Sequence, residues 1–109
     1  MSESLLETKF LAMWQHHFPN IPLAREGRLI PNRRFAFDFV HLNSKVAIEI
    51  NGGNWVRGRH TQAPSLVKEY EKLNLAQECG YIVYILDSTM ITQAWILKIY
   101  QSIMARSKL

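Results

Sequence analysis

Two neighbouring strand-like segments, each with a single carboxylate, constrain the fold of this chain more than any other feature. Residues 33–40 read Arg-Arg-Phe-Ala-Phe-Asp-Phe-Val, and residues 46–49 read Val-Ala-Ile-Glu. Runs rich in Val, Ile and Phe are typical of buried strands. A buried carboxylate costs free energy unless a partner compensates its charge. Asp38 and Glu49 therefore predict a shared hard cation and metal-dependent chemistry.

The two segments are predicted to pair as a hairpin. Residues 34–42 are expected to alternate between two faces, so that Asp38 lies opposite three phenylalanines, Phe35, Phe37 and Phe39. Asn43-Ser44 is a polar turn, and residues 45–51 form the partner strand. Such a hairpin can place Asp38 and Glu49 side by side, although the sequence alone does not fix the register.

Apolar periodicity and helix stop signals predict the other elements. We expect a helix over residues 3–18, a short strand within 23–30, and a helix over 64–78. Residues 81–86 are continuously apolar, which predicts a buried strand, and a last helix covers 90–105. The order of helix, two or three strands, helix, strand and helix indicates a small α/β domain with a mixed sheet.

Composition indicates one small globular domain, residues 1–109, with 48% hydrophobic and 20% charged residues. The formal net charge of +4 suits a polyanionic partner without requiring one. The single cysteine, Cys79, excludes an internal disulfide framework. No segment approaches the roughly 20 apolar residues of a membrane span, and the acidic N-terminus lacks the basic start of a signal peptide. We therefore expect a soluble, cytoplasmic protein.

Five short motifs follow one another within about residues 23–87: Arg34–Phe39, Val46–Gly53, Gly58–Thr61, Glu71–Asn74 and Gly80–Tyr81. Together they resemble the PD-(D/E)XK nuclease superfamily, and within it the small phage and bacterial nucleases of the Vsr-like branch. The resemblance implies an αβββαβ restriction-endonuclease-like core, to which the C-terminal helix is an addition. It also implies metal-dependent hydrolysis of DNA phosphodiester bonds.

The resemblance assigns the metal site to the two strand acids. Asp38 and Glu49 would bind Mg²⁺ or Mn²⁺, and the backbone carbonyl of Ile50 would be a third ligand. Mg²⁺ retains several waters, so one or two carboxylates are enough to bind it.

The chain departs from the family pattern at two positions. Where the superfamily has a lysine two residues after the glutamate, this chain has Asn51. A lysine on the following helix is expected to replace it, with Lys72 as first choice and Lys68 as second, because both lie opposite an apolar stripe composed of Leu66, Val67, Tyr70, Leu73 and Ala76. Relatives often have Asp at the position of Glu69, which is a longer carboxylate.

Further residues are candidates for DNA contact or for an accessory role. His60 is a candidate general base or phosphate donor, and Trp55 can stack on bases. Basic residues that would contact the DNA backbone are Arg33, Arg34, Arg57, Arg59 and Lys68. Candidate accessory residues are Glu7, Asn51 and Glu71.

Each assignment has a structural alternative. Asp38 and Glu49 can be a structural pair, and the helix lysines can be solvated charges. His60 can be an exposed loop histidine, Glu7 the capping-box partner of Ser4, and Asn51 a turn residue.

The expected function is a metal-dependent DNA endonuclease, either structure-specific or related to phage recombination or repair. The main alternatives are a catalytically inactive nucleic-acid-binding module and a partner-dependent nuclease subunit. Duplex cleavage would favour a homodimer, with the apolar side of the last helix as its interface: Trp95, Ile96, Ile99, Tyr100 and Ile103. The sequence does not choose between junction resolution, mismatch nicking, homing and restriction.

Overall fold

The computed structural model describes residues 5–28, 30–31, 33–52 and 63–107, apart from the side chains of residues 63–65. Within these ranges the chain forms α1 (Leu5–His17), β1 (Ala24–Gly27), β2 (Phe37–His41), β3 (Val46–Ile50), α2 (Ala63–Glu78), β4 (Ile82–Leu86) and α3 (Gln93–Arg106). The predicted order of elements and the small α/β domain are confirmed. None of the helices described is long and apolar enough to cross a membrane.

The four strands form one mixed sheet in the order β1-β2-β3-β4. The β1–β2 and β2–β3 pairs are antiparallel, and the β3–β4 pair is parallel. A parallel pair needs a crossover connection, and α2 supplies it between β3 and β4. The predicted mixed sheet is confirmed, and the hairpin formed by β2 and β3 lies at its centre.

Each face of the sheet is covered by its own apolar cluster. The larger cluster joins α1 and α3 to the sheet through residues such as Phe10, Ile48, Ile50 and Ile99. The smaller cluster, with Ala47 among its members, joins α2 to the other face. Because side chains alternate along a strand, β3 directs Ile48 and Ile50 towards α1 and α3, and it directs Ala47 and Glu49 towards α2.

The expected common face for the three phenylalanines is wrong. Phe39 belongs to the cluster beneath α1 and α3, whereas Phe37 belongs to the α2 cluster and Phe35 packs against it. Phe35 precedes β2, which begins at Phe37, so strand alternation does not govern Phe35, and Phe37 is the terminal residue of the strand.

The expectation of a buried strand over residues 81–86 is wrong in part. Ile82 and Ile85 are exposed, because β4 is an edge strand with a hydrogen-bonded neighbour on one side. Tyr81, just before the strand, and Leu86, at its end, are buried.

The apolar side of α3 is part of the core, which is the alternative to the dimer interface that the sequence also allowed for these residues. Ile96, Ile99 and Ile103 are buried in the larger cluster, and Trp95 and Tyr100 pack against the same cluster. A helix side that already covers the sheet is not free to bind a second subunit.

Candidate active site

The β2–β3 hairpin holds the two predicted metal acids side by side. Phe39 pairs with Ile48, and one residue further along the same register Asp38 lies opposite Glu49. Asp38 Oδ2 accepts a hydrogen bond from the Ile50 N–H at 2.7 Å. This bond fixes the Asp38 carboxylate beside β3, next to the backbone that the family resemblance assigns to the metal.

Lys72 reaches the same point from α2. Its Nζ donates to Glu49 Oε2 at 3.0 Å and lies 4.5 Å from the centroid of the Phe37 ring. The ion pair is largely buried, with side-chain exposures of 10% for Lys72 and 14% for Glu49. Lys68 is exposed, one turn earlier on the helix. The structure therefore brings the first-choice lysine, Lys72, to the strand acid.

The apolar stripe predicted for α2 is wrong in part. Val67 and Tyr70 are 58% and 57% exposed, whereas Lys72 and Ala76 are buried against the sheet. The reason is the sheet residue beneath the helix: Glu49 offers Lys72 a counterion. Burying that ion pair turns α2 away from the orientation that the apolar residues alone would favour.

Two carboxylate oxygens at this site are buried and have no hydrogen-bond partner among the described residues. They are Glu49 Oε1 and Glu69 Oε2. Glu69 lies three residues before Lys72 on α2, so both side chains lie on one side of the helix. Among the described residues, the three carboxyl groups of Asp38, Glu49 and Glu69 have one ammonium beside them, that of Lys72, so that two negative charges lack a described counterion when all three are ionised. Burial of uncompensated charge is costly, so the cluster favours uptake of protons or of a cation.

The electrostatics of Glu49 reflect this excess of negative charge. The pKa of its carboxyl is raised from an ordinary value of 4.5 to about 7; burial is the main cause, Lys72 opposes the rise, and the charges of Asp38 and Glu69 add to it. Perturbed carboxyl pKa values are concentrated at functional sites. Glu49 therefore exchanges its proton close to neutral pH, where it can also exchange that proton for a cation.

The donor set fits Mg²⁺ or Mn²⁺ by its chemistry. Glu49 Oε1 is an acceptor without a donor, Asp38 lies opposite it, and hard cations prefer carboxylate and carbonyl oxygens. Among the described residues no group of three or more His, Cys, Asp and Glu side chains is arranged to hold a metal. The ligands that the resemblance implies are therefore limited, within the described residues, to the two carboxylates and the Ile50 carbonyl, with water completing the set.

Arg33 and Arg34 precede the hairpin. Arg33 Nη2 lies 3.0 Å from Glu71 Oε2, and both side chains are half-exposed. The Arg33 guanidinium lies 5.7 Å from the Phe35 ring centroid, and Arg34 is exposed. The candidate accessory residue Glu71 thus pairs with an arginine at the outer side of α2.

Glu7 is not brought to the strand acids. It pairs with Arg25 at 3.3 Å, and the Arg25 guanidinium lies 4.6 Å from the centroid of the Phe39 ring. Phe39 faces α1 and α3, so Glu7 and Arg25 lie on that side of the sheet. Glu49 faces α2, on the opposite side.

Asn51 continues the parallel pairing beyond β3, because its N–H donates to the Leu86 carbonyl at 2.8 Å. Its backbone is thus tied to β4 at the position where the nucleases that the sequence resembles have a lysine. Four further candidates, Trp55, Arg57, Arg59 and His60, lie outside the described residues.

Sequence reasoning left Glu69 without a role, yet the structure places it beside Asp38 and Glu49, and these three residues are called the acid cluster. The available signal was its spacing of three residues from Lys72, which puts both on one side of a helix. Comparisons of the chain with protein-family models, with curated proteins and with solved structures gave no match. The geometry of the cluster and the family resemblance are therefore the grounds for a functional proposal.

Proposed function

We propose that this chain is a metal-dependent DNA endonuclease with a restriction-endonuclease-like core. The environment of the Glu49 carboxyl is the main support for this proposal. The carboxyl is buried opposite Asp38, one of its oxygens is paired with Lys72, and the other has no partner among the described residues. The αβββαβ order of elements, followed by α3, also supports this arrangement.

The proposed roles follow from the contacts of each side chain. A divalent cation, when bound, would polarise the phosphodiester and lower the pKa of a bound water. Asp38 and Glu49 supply its anionic ligands, and the Ile50 N–H holds Asp38 in place. Lys72 carries a positive charge in a largely buried position beside Glu49, where it can orient a water and stabilise charge that develops on the phosphate.

The positive net charge and the exposed arginines of the chain support DNA as its polyanionic substrate. The formal net charge is +4, Arg34 is exposed, and Arg33 forms a half-exposed ion pair that a phosphate can compete for. Arg57, Arg59, His60 and Trp55 keep the roles that the resemblance implies, as proposals.

A cleavage assay tests the proposal. Supercoiled, branched and single-stranded DNA are incubated with Mg²⁺ or Mn²⁺ and the wild type, Asp38→Asn, Glu49→Gln or Glu78→Gln. Glu78 is an exposed acid at the end of α2, so its variant is a matched control. We expect cleavage by the wild type and the control only, whereas cleavage that persists in both strand-acid variants would refute the proposal.

An inactive nucleic-acid-binding module is the second candidate. It is favoured by Asn51 at the family's lysine position and by the ion pair that occupies Lys72. DNA binding without cleavage under either cation would support it. Cleavage that appears only when other nuclease or recombination subunits are added would indicate a partner-dependent subunit.

A homodimer remains a proposal, since its interface would have to use residues other than the buried side of α3. Size-exclusion chromatography with light scattering, in the presence of DNA, measures the oligomeric state directly.

A further inference from the structure

We propose that Glu69 is a positioning residue: it accepts the Lys72 ammonium when a divalent cation occupies Glu49, and thereby keeps Lys72 beside the phosphate. This inference rests on the proposed function, because it requires a cation between Asp38 and Glu49.

The position of Glu69 on α2 makes the transfer short. Residues three apart on a helix have Cβ atoms about 5–6 Å from one another, within reach of a long side chain. Glu69 Oε2 is buried and accepts no hydrogen bond among the described residues. This oxygen is therefore an acceptor that no described residue uses while Lys72 binds Glu49.

Lys72 has little freedom to move elsewhere. Its side chain is 10% exposed, and its ammonium lies against the Phe37 ring. A large swing into solvent would give up this packing and the contact with the ring. A pivot of the ammonium from Glu49 towards Glu69 keeps the stem of Lys72 in place.

The charge count favours the same transfer. Counting only the residues that the structure describes, three ionised carboxylates and one ammonium leave two negative charges, which one divalent cation balances. Without Glu69 the loaded cluster would place the Lys72 ammonium beside the cation with no anion of its own. Mutual repulsion, and competition of Lys72 for Glu49, would then weaken cation binding.

Direct ligation by Glu69 is the alternative role, and the geometry disfavours it. Asp38, Glu49 and Glu69 are not arranged as a three-carboxylate metal group within the described part of the chain. Glu69 therefore acts on the cation through Lys72, in the way that outer-shell partners tune a metal site.

Isothermal titration with Mn²⁺ tests the proposal without using activity. The variants are Glu69→Gln, the charge-conserving Glu69→Asp, and Glu78→Gln as the matched control on the same helix. We expect Glu69→Gln to bind Mn²⁺ at least about tenfold more weakly than the wild type. Glu69→Asp should recover most of the affinity, and Glu78→Gln should leave it unchanged.

The position of the Lys72 ammonium is read by NMR of ¹⁵N-lysine-labelled protein titrated with Mg²⁺. In the wild type and in Glu69→Asp, the Lys72 signal should shift and stay protected from exchange with water. In Glu69→Gln it should broaden as soon as the cation binds. A purely structural role for Glu69 would not produce this cation-dependent difference.

The outcomes separate the two proposals. If Glu69→Gln binds Mn²⁺ like the wild type while Glu49→Gln does not, the role of Glu69 is refuted and the cation site is retained. If the wild type binds neither ion, both are refuted. If thermal unfolding shows that Glu69→Gln is not folded, an affinity of Glu69→Asp as low as that of Glu49→Gln would refute the transfer.

Discussion

The buried Glu49 carboxyl should make the fold lose stability as the pH rises through neutrality. Its pKa is raised from 4.5 to about 7 in the folded protein. The folded state therefore binds a proton more tightly than the unfolded chain does. The contribution of this proton to the free energy of unfolding is fully present below pH 4.5 and is lost as the pH rises through 7.

The size of the effect follows from the shift itself. Each pKa unit corresponds to about 1.4 kcal/mol, so the shift of Glu49 amounts to about 3 kcal/mol. A small domain is stable by roughly 5–15 kcal/mol, so this single proton accounts for a substantial part of the total. In thermal unfolding the loss corresponds to a decrease in Tm on the order of 10 °C.

Urea unfolding between pH 4.5 and 8.5, with a chelator present, measures this contribution. Glu49→Gln cannot titrate, so the wild type should lose about 3 kcal/mol more than this variant over the range. His41 titrates in the opposite sense, because burial lowers its pKa, and comparison with Glu49→Gln cancels its contribution. Glu78→Gln should follow the wild-type curve. Parallel curves for the wild type and Glu49→Gln would refute the reasoning.

Three further predictions concern the Glu49 site, Lys72, and the contacts of Arg106 with the Ser44 turn. Mn²⁺ affinity should fall about tenfold for each pH unit below 7, because a proton competes for Glu49; a flat titration from pH 5 to 7 would contradict this. Lys72→Met should lower cleavage by about 10²–10⁴-fold while DNA binding in gel shifts persists, and an active variant would remove Lys72 from the mechanism. Arg106 donates to the Ser44 carbonyl at 2.8 Å and the Gly80 carbonyl at 2.6 Å. Arg106→Ala should therefore cost about 1–3 kcal/mol in urea unfolding, and a loss below about 0.5 kcal/mol would show that water replaces the guanidinium.

Local patterns predicted the hairpin and the order of elements because those features depend on neighbours in the sequence. The apolar runs around Asp38 and Glu49 and the polar turn at Asn43-Ser44 are short-range signals. The predicted polar side of α2 carried both Lys68 and Lys72, so residue types alone could not show that Lys72 is buried against the sheet.

The rest depends on contacts between distant residues. The apolar residues Val67 and Tyr70 suggested a buried stripe. The spacing of apolar residues along α2 does not reveal that the Glu49 carboxylate on the sheet attracts Lys72. The continuous apolar run of β4 likewise does not reveal that the strand has one hydrogen-bonded neighbour. Glu69 became a site residue only when α2 was placed over Glu49.

The turn at residues 42–45 has a consequence for how this chain tolerates insertions. It is closed by the Lys45 N–H donating to the Leu42 carbonyl, with Lys45 in the left-handed region at φ 58°, and the buried Ser44 hydroxyl pairs with His41 Nδ1. A one-residue slip between two strands moves every side chain of one of them to the other face. An added or deleted residue that shifts the β2–β3 register by one would rotate Glu49 into the apolar side beneath α1 and α3. Such a length change at this remote turn should therefore eliminate the proposed cation binding although Asp38, Glu49 and Glu69 are unaltered.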